Sequence, residues 1–179
     1  PLTLLKITKK DNLAIIEFGA NQTGDINFLC SIADPTHGVI TNIGEAHLSG
    51  FGNIQNILKA KSELYNYIKK TRGTIFIDSN NTELMDCVKD YNKIHTYKTI
   101  DLEDKNVELN KIKFKCNPFI QLTWEELELK TKIIGNYNIN NLICALVIAK
   151  FFKIKHSTIK NQIKNLELKN NRSQLIPTD

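Results

Sequence analysis

Residues 54–70 read IQNILKAKSELYNYIKK and lie between GVITNI at 38–43 and GTIFI at 73–77. The middle stretch places Ile54, Ile57, Leu58, Leu64, Tyr65 and Ile68 on one face of a helix. The flanking runs are short, apolar and rich in β-branched residues. They read as buried parallel strands, although periodicity alone does not separate such runs from buried helix. Working outward, LAII at 13–16 is a further run of this kind, closed by Glu17, and residues 25–33 carry a helical face through Ile26, Leu29 and Ile32. Strand, helix, strand, helix, strand predicts an α/β fold: a parallel, Rossmann-like sheet flanked by helices, with right-handed crossovers.

From about residue 83 to 134 the pattern changes. Residues 85–91 suggest a short helix, and 95–99, 107–115, 120–123 and 128–133 read as short strands with polar turns, a small β-rich subregion. Beyond Gly135, residues 142–152 are apolar almost all round, which predicts a buried helix with an amide-rich start at Asn136, Asn138, Asn140 and Asn141. Ser157 reads as the N-cap of a last helix bearing Ile159, Ile163 and Leu166. Residues 170–179 read as a linker.

The 179 residues suffice for one domain with its own core. No apolar run is long enough to span a bilayer. The four cysteines are widely spaced and form no Cys-x-x-Cys pair, which argues against a disulfide or zinc framework and fits a reducing cytoplasm. The net charge of +5 comes almost wholly from dispersed lysines mixed with acids. With no arginine cluster or interleaved aromatics, it is a weak argument for nucleic-acid binding.

One residue breaks the stripe of 54–70. Lys61 occupies the inward step between Leu58 and Leu64/Tyr65. Taken alone it has a plain reading, a lysine whose ammonium snorkels to water. Yet Glu17 closes one apolar run, and Asn42 and His47 follow another. In open parallel sheets ligands bind beyond the carboxyl ends of the strands, where these residues can converge. A hard cation such as Mg²⁺ takes oxygen ligands. Glu17 offers a carboxylate and His47 a ring nitrogen, and a desolvated, neutral Lys61 could take up CO₂ as a carbamate and become a second carboxylate. No Gly-x-x-x-x-Gly-Lys-[Ser/Thr] occurs, so the chain has no phosphate-cradling loop of that kind.

Five segments carry a resemblance: EFGANQTGDI at 17–26, VITNIGEAHLSGFG at 39–52, AKSEL at 60–64, GNYNINN at 135–141 and NRSQ at 171–174. Together with PLTLL at 1–5 they resemble the central domain of the Mur ligase family, the ATP-dependent amide-forming enzymes of peptidoglycan synthesis. The likeness is strongest to the branch that joins D-alanyl-D-alanine to UDP-N-acetylmuramoyl-tripeptide through an acyl phosphate. It implies a P-loop-type sheet, ATP and Mg²⁺ as cofactors, those two substrates as partners, a cytoplasmic location and a monomer when full length. It further implies that Glu17, His47 and carbamylated Lys61 are catalytic and hold metal. Asn138, Asn141 and Tyr137 would lie near the nucleotide, Asn42 in the cleft and Arg172 at a hinge. Residues 1–169 would be the central domain without its P-loop, leading through 170–179 to a missing C-terminal domain, so that the piece alone has no ligase activity. The sequence departs from the family pattern at Tyr137 for His, Phe18 for Met, Ser49 for Glu and in the 78–81 strand end. A non-catalytic Rossmann-like binding module, or another member of the superfamily, is the competing expectation.

Overall fold

The computed structural model describes residues 4–44, 51–100 and 112–166. The chain divides into two compact units, Pro1–Thr96 and Tyr97–Asp179.

The first unit is built on strands β1 (His37–Val39), β2 (Thr74–Asp78) and β3 (Ile94–Tyr97), in spatial order β1-β2-β3. β1 and β2 are parallel, with His37 opposite Thr74 and Val39 opposite Phe76. They are joined through helix α2 (Ile54–Lys70), which packs on both strands and also against helix α1 (Asp25–Ala33). The apolar stripe of 54–70 explains the packing: Ile57, Ala60, Tyr65 and Ile68 are buried in one cluster with Ile40, Ile75 and Ile77. Asn53 starts α2 by accepting from the Asn56 N–H at 2.8 Å, and Asn81 caps the short helix α3 (Thr82–Asp86) through the Leu84 N–H at 2.9 Å. The helix is held close to the sheet because Gly38 and Gly73 lack side chains there. A Cβ on Gly38 would lie 3.1 Å from Leu64, and one on Gly73 only 2.3 Å from the Thr36 carbonyl oxygen.

Three expectations change in this unit, one of them the short helix read at 85–91, which forms over Thr82–Asp86. Residues 13–16, read as the first strand, take up no regular structure, and Leu13 and Ile15 are 48% and 84% exposed. A parallel strand exists only through its ladder, and among the described residues the sheet pairs β1, β2 and β3 without this segment. Glu17 therefore stands in an irregular stretch and not at a strand end. The run at 95–99, assigned by its spacing to the β-rich subregion, supplies the third strand of the parallel sheet instead; Ile75 N–H donates to the Lys93 carbonyl at 3.0 Å beside it.

The second unit holds an antiparallel sheet of β4 (Ile112–Cys116), β5 (Phe119–Trp124) and β6 (Leu127–Ile134), with helices α4 (Asn138–Phe151) and α5 (His156–Asn165). β6 alternates cleanly: Leu127, Leu129, Thr131 and Ile133 are buried, and Glu128, Lys130 and Lys132 face water. This is the pattern of a sheet covered on one side, and α5 packs on β6. α4 buries Ile139, Leu142, Ile143, Cys144 and Leu146. α5 begins two residues earlier than its capping signal implied. Its N-cap is Lys155, whose carbonyl accepts from Ile159 N–H at 3.0 Å, so Ser157 lies inside the first turn.

Candidate active site

Three side chains of α2 step along the strands as helix and sheet run past each other. Ile68 packs where Gly38 leaves room, Tyr65 reaches Ile40, and Lys61 reaches Asn42. Each helical turn toward the amino end of α2 thus advances two residues beyond β1, which puts Lys61 past the carboxyl end of the strand. Tyr65 is wholly buried. Its hydroxyl donates to the Phe76 carbonyl at 3.0 Å and accepts from Ile40 N–H at 3.2 Å. A hydroxyl takes the place of the next ladder step, just beyond the last paired residues, Val39 and Phe76.

One turn further, the half-buried Lys61 donates through Nζ to the carbonyl oxygen of Asn42 at 2.8 Å. Burial lowers its pKa from the ordinary value by penalising the ammonium. The Asn42 side chain is exposed, and its Oδ1 accepts from Gly44 N–H at 3.3 Å, closing a tight turn. At the end of β2, Asp78 Oδ1 accepts from Asn80 N–H at 3.0 Å. The structure therefore joins Lys61 and Asn42 directly. Glu17 is exposed in the stretch that leads to α1. His47 and Arg172 lie outside the described residues. Among those described, no group of three or more His, Cys, Asp or Glu side chains is arranged to hold a metal ion.

The loop after Glu17 is tied to the Lys61 helix by a residue not singled out from the sequence. Glu63 accepts from Gly24 N–H at 2.6 Å and from Asn27 N–H at 2.9 Å. Within the same loop, Asp25 accepts from Asn21 N–H at 2.9 Å and Gln22 N–H at 3.1 Å, contacts that hold its carboxyl below the usual range. The signal for Glu63 was present as an acid off the buried stripe, next to a helix whose N-cap position, Gly24, has no side chain to offer.

In the second unit, the expected nucleotide residues shape the start of α4. Gly135 has φ +86°, and a Cβ there would meet the Tyr137 ring at 2.5 Å. Asn138 Nδ2 donates to the Ile134 carbonyl at 2.9 Å, and Asn141 Nδ2 donates to Asn138 Oδ1 at 3.2 Å. Tyr137 is 61% exposed. Asn140 reaches 40 residues back along the chain: it accepts from Ile100 N–H at 2.8 Å and donates to the Ile100 carbonyl at 3.1 Å.

A cleft of about 460 Å³ in the first unit lies at the other end of the strands, lined by Asp34, Thr36, His37, Thr71 and Arg72 among others. It sits at the amino ends of β1 and β2, away from Lys61.

Residues 1–149 match the Mur ligase middle domain. The chain belongs to the Mur ligase family. It is 30% identical over 152 residues to the UDP-N-acetylmuramoyl-tripeptide–D-alanyl-D-alanine ligase of Haemophilus influenzae, covering 83% of this chain and 32% of that protein. The ligase of the same name from Bacillus subtilis is 27% identical over 182 residues, covering 100% of this chain and 38% of the relative. In fold, this Mur ligase chain is similar to MurF from Acinetobacter baumannii, with a TM-score of 0.78 at 24% identity over 98% of this chain and 39% of that one. MurF from Thermotoga maritima in complex with ADP superimposes with a TM-score of 0.62 at 20% identity, covering 83% of this chain and 34% of the other. The chain thus spans about a third of the length of the curated relatives it matches.

Proposed function

We propose that this chain is the central, nucleotide- and metal-handling part of an ATP-dependent ligase that joins D-alanyl-D-alanine to UDP-N-acetylmuramoyl-tripeptide in the cytoplasm. The single observation that carries the reading is Lys61, a half-buried amine of lowered pKa set beyond the carboxyl end of β1 and hydrogen-bonded to Asn42. An amine that loses its proton more readily than an exposed lysine is suited to carbamylation: the neutral nitrogen bonds to CO₂ carbon, and one proton leaves to solvent. The product is a carboxylate in place of a cation.

With that change the donor set is two carboxylates, Glu17 and the Lys61 carbamate, and the imidazole of His47. Such a set suits Mg²⁺, which takes few protein oxygens and keeps places for water and phosphate. When bound, the ion neutralises phosphate charge and aligns the reacting groups. The peptide carboxylate attacks the γ-phosphorus of ATP and ADP leaves. The dipeptide amine then attacks the acyl carbon, and phosphate leaves as the amide forms. In this scheme Asn138, Asn141 and Tyr137 flank the nucleotide, and Arg172 serves the approach of a further domain. Among the described residues no helix is long and apolar enough to cross a membrane.

The test is phosphate release by the full-length protein with UDP-N-acetylmuramoyl-tripeptide and D-alanyl-D-alanine, with Lys61→Ala alongside and bicarbonate varied. Release that needs both substrates and is lost in the variant supports the reading. A full-length protein that binds nucleotide but never turns over would favour a non-catalytic binding module.

A further inference from the structure

We infer that Glu63 is a positioning residue for this reaction: it fixes the loop that bears Glu17 against the helix that bears Lys61. The inference rests on the roles proposed above for those two residues.

A helix leaves its first N–H groups without internal partners, and these are ordinarily met by a Ser, Thr, Asp or Asn at the N-cap itself. α1 has Gly24 there, at φ +100°, with no side-chain cap of its own. Among the described residues, both of its N–H contacts to a side chain come from one carboxylate 36 and 39 residues further on, Glu63 Oε2 to Asn27 and Oε1 to Gly24. The bonds are charge-assisted and two-pronged, so they fix direction as well as distance. The negative charge also lies at the positive end of the α1 dipole. A second carboxylate, Asp25, gathers Asn21 and Gln22, so residues 21–27 are held as one piece.

A cap from within the loop would steady α1 equally well. A cap from α2 does something more. Glu63 is two residues from Lys61 on a helix anchored to the strands by Tyr65 and Ile68. Among the described residues, the Glu17 stretch has no strand ladder of its own to place it. Ala20 packs against the core cluster that holds α2, and the polar tie between this stretch and α2 runs through Gly24, Asn27 and Glu63. A displacement of this loop would separate the two carboxylates that the metal needs together, and small misplacements of reacting groups are costly in rate.

The experiment uses the full-length protein and the variants Glu63→Gln and Glu63→Asp. Glu63→Gln keeps the volume but turns one acceptor oxygen into a donor that faces an N–H. Glu63→Asp keeps the charge but shortens the reach. We expect kcat to fall on the order of tenfold to a hundredfold in Glu63→Gln, less in Glu63→Asp, with the half-saturating Mg²⁺ concentration raised several-fold. A residue that only capped α1 would lower the melting temperature and leave the Mg²⁺ requirement alone. Active wild-type protein with an unchanged Mg²⁺ requirement and kcat in both variants would overturn the inference and leave the ligase reading standing. Wild-type protein without turnover would overturn both. Amide hydrogen exchange on the wild type needs no variant to fold: Gly24 and Asn27 should be protected, and fast exchange at both would overturn the inference.

Discussion

The phenol of Tyr65 donates to the main-chain carbonyl of Phe76 at 3.0 Å, and the same oxygen accepts from the N–H of Ile40. One side chain from α2 thus serves two buried backbone groups where β1 and β2 stop pairing. Removing the hydroxyl leaves both groups without this partner while the ring still fills its place. Tyr65→Phe should therefore lower stability by about 1–3 kcal/mol, the loss of two buried hydrogen bonds at about 0.5–1.5 kcal/mol each. The shift should appear as a lower midpoint in urea with an unchanged slope; a midpoint equal to the wild type would show that water replaces the hydroxyl freely.

Much of this architecture was legible because the stripe of 54–70 and its two flanking runs are locally consistent. Helix period and β-branched runs agree with the structure formed. The odd residue in the stripe, Lys61, marked the candidate site for the same reason: charge at an inward position calls for a partner, found in the Asn42 carbonyl. Residues 13–16 misled because an apolar run shows the capacity to pair, whereas a strand needs a neighbour, which composition does not reveal. The run at 95–99 misled in the opposite sense, since short strands carry no mark of the sheet they join. The Glu63 contacts span 36 and 39 residues and have no periodic signature.

Gly38 and Gly73 should respond differently to the same added methyl group. At Gly38 the new carbon would lie 3.1–3.2 Å from the ends of Leu64 and Ile68, which can shift. At Gly73 it would lie 2.3 Å from the Thr36 carbonyl oxygen, backbone that also accepts from Thr74 N–H at 3.0 Å. Gly38→Ala should cost about 1–3 kcal/mol, as overpacking does, and Gly73→Ala more, enough to lower soluble yield. Thermal melts of the two variants side by side check the order; equal losses would contradict it.

Asn140 binds both backbone groups of Ile100, so its amide needs one acceptor and one donor. Asn140→Asp keeps the acceptor and sets a second oxygen against the Ile100 carbonyl. Protonation restores a donor, so the aspartate of the variant should titrate above the ordinary carboxylate range. The penalty should then be largest at neutral pH and shrink as the pH falls through that raised value. Asn140→Ala should cost about 1–3 kcal/mol at every pH. Denaturation of both variants at pH 7 and pH 4 separates them; parallel losses would mean that the amide donor contributes nothing.

Cys30 is fully buried on α1, and burial, followed by the charge of Glu63, pushes its thiol up to about 11. Only the thiolate alkylates readily. In the folded protein Cys30 should therefore resist iodoacetamide at pH 8 and react once urea unfolds the chain, as mass mapping of the labelled peptides would show. Labelling of Cys30 in the native state at the rate of an exposed thiol would mean that α1 opens often.

Lys61 offers a pH signature in two conditions. Without CO₂, its lowered folded-state pKa means that, up to the ordinary 10.5, the unfolded chain binds more protons at this site than the folded one. Stability should rise with pH across that window, and Lys61→Met should flatten the slope. With bicarbonate, the neutral amine is consumed as carbamate, so occupancy should increase with both bicarbonate and pH. ¹³C-bicarbonate should then give a carbamate resonance in the wild type that is absent from Lys61→Met. Because burial favours the neutral amine, that signal should emerge at lower pH than for the exposed lysines of the same protein. A resonance that follows the exposed lysines would mean that the position of Lys61 beyond β1 confers no special reactivity, and the proposed donor set would lose its second carboxylate.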